Sequence, residues 1–403
     1  MSIIEKLGLD WWFTSHFAYG IIQMVFIPIL VPTFILEQTG NATQVGVAMG
    51  IIGLGGLAAP VLGGLADKFR AHRAVQLIGL VAYALAALTF AVSGATFSLH
   101  LLGAIFLGVG SASLLMINPA FIVSGGYEPE EEAKKLTGLN QIAIVGSLVA
   151  GLGLAAVTKA GASFEARFIL MFAIASAALV VTFLTNKAAA QRIVSETPSE
   201  DGSSEAEESS GFMSIILSRF GLVLLAIFFV SIGQGVITGQ FPNYMGDVFK
   251  IDASLASVAL SVSAVVSLIV LSLVGRAMAV KGPNPIWILA VLLKLIVMAG
   301  LAFIAFTGEG VGAYLPLALY VLYLQGVTSV DMVQPAIAAK TSRAGAGMTQ
   351  GLLMFAIAGA YAGGNVISGV SADTLGWASL AWIVAIVSGI ALVLGFMALA
   401  GRK

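Results

Sequence analysis

An all-α integral membrane protein, with twelve transmembrane helices in two six-helix pseudo-repeats, is the fold this sequence predicts. Three observations predict it. Hydrophobic residues make up 59% of the 403-residue chain and charged residues 10%, against roughly 25% charged in soluble domains, so no water-soluble core could hide the apolar surface. Twelve apolar runs follow one another, most of them long enough at 1.5 Å per residue to cross a ~30 Å hydrocarbon layer. They fall at about 11–36, 44–66, 74–93, 97–123, 137–158, 166–185, 219–243, 253–275, 285–307, 313–339, 349–370 and 376–400, and are called spans 1 to 12 below. A single polar gap, Asn186 to Ser218, divides them six and six. Runs of this length satisfy their backbone in lipid only as helices, and the short alternating pattern of barrel strands is absent from the sequence.

Glu5, Lys6 and Asp10 precede Trp11-Trp12, and no small-residue cleavage site follows a short apolar core, so span 1 reads as a retained helix. The turn between spans 2 and 3, Gly63 to Arg73, is a charged knot between two apolar runs. Of the nineteen Lys and Arg residues, fifteen fall on the side of this turn, Lys159, Arg167 and Lys250 on the other, and Lys294 inside span 9. That asymmetry predicts cytoplasmic termini. Ser195 to Ser210 is acidic, Ser-rich and without an apolar residue larger than alanine, so the gap is expected to be a disordered linker. The domains are therefore 1–186, a cytoplasmic linker 187–218, and 219–403. Forty-seven glycines suit helices that approach closely in lipid.

The halves resemble each other. Gly20-Ile21-Ile22-Gln23 of span 1 parallels Ser231-Ile232-Gly233-Gln234 of span 7. Gly110, Ser113, Asn118 and Pro119 of span 4 parallel Gly326, Ser329, Gln334 and Pro335 of span 10 at one constant offset. Gly138-Leu139-Asn140-Gln141 opens span 5 as Gly347-Met348-Thr349-Gln350 opens span 11.

The charged turn, Gly63-Gly64-Leu65-Ala66-Asp67-Lys68-Phe69-Arg70-Ala71-His72-Arg73, resembles the signature loop of the major facilitator superfamily. That loop reads Gly, three residues, Asp, Arg or Lys, any residue, Gly, any residue, then two basic residues. Gly63, Asp67, Lys68 and Arg73 match it; Arg70 stands where the family has its second glycine, and His72 replaces the first basic residue of the closing pair. Two six-helix halves joined by a cytoplasmic linker are also the architecture of that family. The resemblance implies a transporter whose spans 1, 4, 7 and 10 line a central cavity, whose spans 2, 5, 8 and 11 form the interface between halves, and whose other spans face lipid. It also implies a gating role for the loop, with Asp67 accepting hydrogen bonds from the exposed amides before Met348, where the helix dipole favours an anion.

Three ionisable residues lie inside spans, where each costs at least ~2.5 kcal/mol at the bilayer centre. They are His16 in span 1, Lys294 in span 9 and Asp331 in span 10. Lys294 and Asp331 lie at matching depths, which predicts a buried ion pair, either a staple between helices or part of a proton relay. Neutral polar groups on the cavity spans are the candidates for substrate contact: Gln23, Asn118, Gln234 and Gln334, with Tyr19 and Tyr323 among the interleaved aromatics. Amides on a mostly apolar wall are the usual makings of a small-molecule site.

Several chemistries are excluded or disfavoured. The chain has no cysteine, so no disulfide or thiolate metal site exists, and no Gly-x4-Gly-Lys-Ser/Thr run supports direct ATP drive. Ala104 occupies the span 4 slot where the proton-coupled drug exporters of that superfamily tend to carry arginine, and the run Gly146 to Gly153 lacks their proline. No enzymatic activity, cofactor or metal is expected. The expected function is secondary active or facilitative transport of a neutral or amphipathic small molecule by alternating access, in the inner or plasma membrane. The alternatives are proton-coupled drug or metabolite efflux, facilitated uptake, and a non-transporting pigment- or lipid-binding scaffold. The expected partners are the substrate, H+ as a candidate coupling ion, and the lipid bilayer. Nucleic acid is not expected, and the working unit is expected to be a monomer.

Overall fold

The computed structural model describes residues 9–196, 218–307, 312–342 and 346–399. Eleven helices among the described residues are long and apolar enough to cross a membrane, and the twelfth span is a composite that a shorter helix begins. Span 1 runs Trp11–Thr39. Span 2 is Ala42–Leu54, a 3₁₀ turn Gly55–Ala58, and Ala59–Lys68. Spans 3 to 6 are His72–Ser93, Phe97–Val123, Pro129–Lys159 and Phe164–Thr185. Span 7 is Arg219–Thr238, broken from a short continuation, Phe241–Phe249. Spans 8 to 12 are Ala253–Lys281, Pro283–Thr307, Tyr314–Thr341, Ala346–Leu375 and Ser379–Leu399.

The polar gap departs from expectation at its start, where Lys187–Glu196 forms a helix. Its sequence, rich in alanine with Lys, Gln, Arg and Glu, has the helix propensity to do so without burying an apolar face in lipid. The expected disorder of the remaining acidic segment lies outside the described residues.

Short connections end on recognisable caps. Asn41 opens span 2 by accepting from the Gln44 N–H at 2.9 Å, and Asp252 opens span 8 by accepting from the Ser254 and Leu255 N–H groups at 2.8 and 3.1 Å. Each satisfies amides that a helix start leaves without partners. At the far end of span 2, Ala71 donates to the Ala66 carbonyl at 2.8 Å, and Arg70 between them takes φ 49°. This is the left-handed helix terminus that glycine adopts freely. The departure from the loop pattern at position 70 therefore leaves a non-glycine residue where the turn asks for glycine.

Spans 2 and 11 meet backbone to backbone. A Cβ on Gly46 would lie 2.3 Å from the Asn365 carbonyl oxygen, and one on Gly369 would lie 2.4 Å from that of Ala42. Spans 5 and 8 meet likewise at Gly151, where an added Cβ would fall 2.6 Å from the Ser257 carbonyl oxygen, and Ser261 donates to the Leu148 carbonyl at 3.1 Å. Both seams lie toward the face opposite the Lys68–Arg73 turn. That face is called the far face here, and its opposite the linker face. Toward the linker face the seam between spans 2 and 11 ends: Gly63 meets Met116 of span 4 instead, while an added Cβ on Gly64 or Gly351 would meet nothing within 4 Å. The molecule is thus sealed at the far face and parted toward the linker face.

Candidate functional site

A cavity of about 400 Å³ lies between the halves under the far seal. Its wall includes Tyr19, Gln23, Met24 and Pro28 of span 1, Gln234 and Thr238 of span 7, Tyr320 and Thr328 of span 10, and Tyr361 of span 11, with Ser147, Ser263 and Ser267 from spans 5 and 8. Among the described residues, no charged side chain lines it. Span 1 reaches it through a π-helical stretch, Ile22–Leu30. Pro28 within that stretch has no N–H to give, and the wider turn relieves its clash with the preceding carbonyl. Gln23, Met24 and Pro28 all face the cavity from this segment.

Each wall amide is oriented by partners behind it. Gln23 Oε1 accepts from the Ser111 hydroxyl, which in turn pairs with the Tyr83 hydroxyl at 3.0 Å. Its NH₂ group is the end left to meet a substrate. Gln234 lies beside the Asp331 carboxylate. Across the wall, the Tyr361 and Thr238 hydroxyls pair at 3.0 Å.

The expected contacts divide accordingly. Tyr19, Gln23 and Gln234 line the cavity, whereas Asn118, Gln334 and Tyr323 do not. Tyr361 and the serines of spans 5 and 8 were not expected there, because the resemblance assigned spans 5, 8 and 11 to the interface alone; Thr238, on cavity span 7, was not singled out.

Asn118 belongs to a buried polar chain within the first half. Arg73 Nε donates to Asn186 Oδ1 at 2.9 Å, Asn186 Nδ2 to Gln76 Oε1 at 2.9 Å, and Gln76 Nε2 to Asn118 Oδ1 at 2.8 Å. Asn118 Nδ2 then meets His16 Nδ1 at 3.1 Å. Arginine only donates, so its end of the chain fixes the direction of every amide after it. Nδ1 of His16 is left as the acceptor, and the ring carries its proton on Nε2. A second proton on Nδ1 would face an amide N–H, so His16 is better built for packing than for carrying protons. Its ring stacks on Tyr19 at 5.1 Å and is buried.

Arg73 also donates to the Phe183 carbonyl at 2.8 Å, and its guanidinium lies 4.8 Å from the Phe183 ring centroid. The base expected in an interdomain gate is thus occupied within its own half. Lys68 is exposed beside Phe69, and Gly63 packs on Met116. The Asp67 side chain and residues 343–345 lie outside the described set, and with them the expected cap on span 11.

Lys294 and Asp331 stand close but do not pair. Lys294 is wholly buried, and its stem passes Gly326, where an added Cβ would lie 2.7 Å from Lys294 Cγ. Its Nζ lies 5.3 Å from the Tyr323 ring centroid and has no hydrogen-bond partner among the described residues. Asp331 is exposed, accepts from Gln334 Nε2 at 3.1 Å and lies near Gln234 of span 7. It sits three residues past the cavity-lining Thr328 on span 10, toward the linker face. The two charges interact through space but not within the 4.0 Å of an ion pair.

The sequence matches the family profile of the Major Facilitator Superfamily over residues 12–345. No curated protein sequence matches the chain. Among solved structures, a D-xylose-proton symporter superposes with a TM-score of 0.72 at 14% identity, covering 98% of this chain and 96% of that one. The nucleoside transporter NupG superposes with a TM-score of 0.68 at 16% identity, covering 98% of this chain and all of its own. A mutant of NupG gives 0.71 at 14%, with the same coverage. At such identities the likeness is one of fold, while the profile spans most of the chain. Twelve spans in two similar halves, the charged loop and that match agree: the protein is a multi-pass membrane transporter that belongs to the Major Facilitator Superfamily.

Proposed function

We propose that the protein is a secondary transporter, active or facilitative, that carries a neutral or amphipathic small molecule by alternating access. The observation that carries this is the central cavity, whose wall of amides, hydroxyls and apolar side chains holds no charge. A charged substrate would lose its hydration there with no counter-charge on the wall. Gln23 and Gln234, from matching positions in the two repeats, reach it from opposite halves and offer hydrogen bonds to one ligand from both moving bodies. Those bodies are 1–186 and 219–403, tethered by 187–218. The distribution of Lys and Arg supports cytoplasmic termini in an inner or plasma membrane, and a single chain is the working unit.

In the active form of this reading, H+ is the coupling ion and Asp331 its carrier. The carboxylate is exposed and lies beside Gln234 of the cavity wall, so its charge is felt by whatever Gln234 binds. No enzymatic step is part of this reading.

The test is a thermal-shift screen of the purified protein against uncharged metabolites and drugs, followed by flux in proteoliposomes. A ligand present at a hundredfold its Kd should stabilise by ~2.7 kcal/mol. Gln23→Ala and Gln234→Ala should each weaken that shift. Asp331→Asn should abolish accumulation driven by a pH gradient while sparing exchange of substrate across the membrane. Binding without saturable flux would favour a scaffold and defeat the proposal.

A further inference from the structure

The far seal is closed by a carboxylate that one half lends to the other. Span 2 opens with four N–H groups that have no helical partner of their own. Asn41 N–H donates to the Thr39 hydroxyl at 3.2 Å, and Gln44 N–H to the Asn41 side chain at 2.9 Å. Both partners belong to the first half and stay with span 2 in any arrangement of the bundles. The remaining two N–H groups, of Ala42 and Thr43, are satisfied by Asp373 of span 11, at 3.0 and 2.7 Å. The Thr43 hydroxyl donates to the same carboxylate at 2.6 Å. The first turn of a helix in the first half thus carries a split cap, with one part its own and the other supplied by the second half.

The seam sets this register. Gly369 lies against the Ala42 carbonyl and Gly46 against that of Asn365, so the two antiparallel helices advance together, four residues on one for four on the other. One turn beyond Gly369 is Asp373, which the same register delivers to the start of span 2. The second half holds Ala42 at its other end too, where Gln240 Nε2 donates to the Ala42 carbonyl at 3.0 Å. The negative carboxylate also lies at the positive end of the span 2 dipole.

We infer that Asp373 is the residue that holds the far face shut, a latch that acts as a charged cap across the interface and biases the transport cycle toward the state parted at the linker face. When the halves separate at the far face, Ala42 and Thr43 exchange Asp373 for water, and Asn41 alone keeps the helix start. The free energy of the latch is therefore the difference between a shared cap and a hydrated one. It enters the equilibrium between the two faces directly, without touching substrate. This inference rests on the alternating-access reading. Its test needs no substrate, so the two can fail separately.

The chain has no cysteine, so introduced pairs can be spin-labelled uniquely. One pair, Ala95→Cys with Ala378→Cys, spans the far face; a second, Ser124→Cys with Lys340→Cys, spans the linker face. Distances are measured in the otherwise unaltered protein and with Asp373→Ala, Asp373→Asn or Thr43→Val added. Loss of a cap at a helix start corresponds to roughly a two- to thirty-fold change in an equilibrium constant. Asp373→Ala should therefore raise the ratio of parted to sealed far face by about that factor, and the linker-face pair should shorten in step. Asp373→Asn, which keeps one acceptor, and Thr43→Val, which removes one donor, should give smaller shifts in the same direction, and they carry the test if the alanine variant does not fold. Should the far-face pair separate as often with Asp373→Ala as without it, Asp373 is no latch, even if the variant melts at a lower temperature. Should that pair never separate in any variant, the latch and alternating access both fall.

Discussion

Replacing Lys294 with methionine should not destabilise this protein. The ammonium is wholly buried and has no hydrogen-bond partner among the described residues. Two interactions favour it. One is the Tyr323 ring, 5.3 Å away, and such a contact contributes ~0.5–2 kcal/mol. The other is Asp331, which lies beyond the 4.0 Å of an ion pair. Unit charges 4 Å apart attract by about 4 kcal/mol at an effective dielectric of 20, so the attraction here is smaller. Against both stands the removal of an ammonium from water, which costs several kcal/mol per ion. The balance lies near zero or on the unfavourable side. Methionine can follow the same unbranched stem past Gly326 without the charge.

Lys294→Met is thus expected to leave stability unchanged or to raise it by as much as ~1–4 kcal/mol. Asp331→Asn removes the attraction and leaves the lysine in place, so it should destabilise by less than about 4 kcal/mol. Combined with Lys294→Met, most of that loss should vanish, because no buried charge then lacks a counter-charge. The assay is denaturant unfolding in detergent, followed by tryptophan fluorescence for the parent, both single variants and the double variant. Flux measured in parallel separates stability from transport. A loss of more than about 2 kcal/mol in Lys294→Met would be large for one substitution and would show the lysine to be a satisfied structural group. A double variant no better than Asp331→Asn would show that the two charges do not communicate.

Arg70 takes a left-handed backbone that costs a residue with a Cβ roughly 1–2 kcal/mol, so Arg70→Gly should be neutral or stabilising by up to ~1 kcal/mol, measured by thermal unfolding. Asn118→Leu leaves His16 Nδ1 and one Gln76 N–H short of a buried partner and should destabilise by ~1–3 kcal/mol for each group left unsatisfied. Because Asn118 does not line the cavity, the Kd of any ligand for the folded fraction should stay unchanged. The Ser254 hydroxyl, with the Ser254 and Leu255 N–H groups, holds the Asp252 carboxyl below the usual carboxylate range. Its contribution is therefore complete above about pH 4 and disappears as the pH falls through the lowered folded value. Asp252→Ala should cost ~0.5–2 kcal/mol at pH 7 and progressively less in acid, read from unfolding curves across that range.

The spans were legible because lipid leaves a backbone no other choice, and long apolar runs then mark helices almost by themselves. Rotation about each axis was not legible. Asn118 and Gln23 carry the same signal, an amide inside an apolar run, yet one closes a buried chain and the other faces the cavity. A helix apolar on every side offers no stripe to orient it. Tyr361 was missed for a related reason: a hydroxyl on an interface helix says nothing about where the interface opens into a cavity. Lys294 and Asp331 were placed at the right depth, but depth does not fix separation, and Gly326 steers the lysine stem toward Tyr323 instead. The linker helix Lys187–Glu196 had a usable signal in its helix formers, which the polarity of the surrounding gap masked.

The two ends of the seam between spans 2 and 11 are built from residues of unlike size, and this bears on how the cycle can run. From Ala42 to Gly56 the facing positions are mostly glycine or alanine, from Gly369 down to Ala358, and the backbones themselves touch from Ala42 to Gly50, about 12 Å. Beyond Gly56 toward the linker face, Gly64 and Gly351 meet nothing, and beside them Leu65 and Phe69 near the end of span 2 and Met354 and Phe355 on span 11 are exposed. Packed interfaces are not continuously deformable, so a rigid half that rocks cannot carry the backbone contact from one end to the other. Closure of the linker face has to seat larger side chains and the charged turn, a contact of different chemistry. The far seal gains from dispersion along a smooth groove and from the Asp373 cap, while a linker seal made through the charged turn would depend on charges in the interfacial zone. Salt screens the second far more than the first. Raising ionic strength should therefore favour the state sealed at the far face, the state this structure occupies.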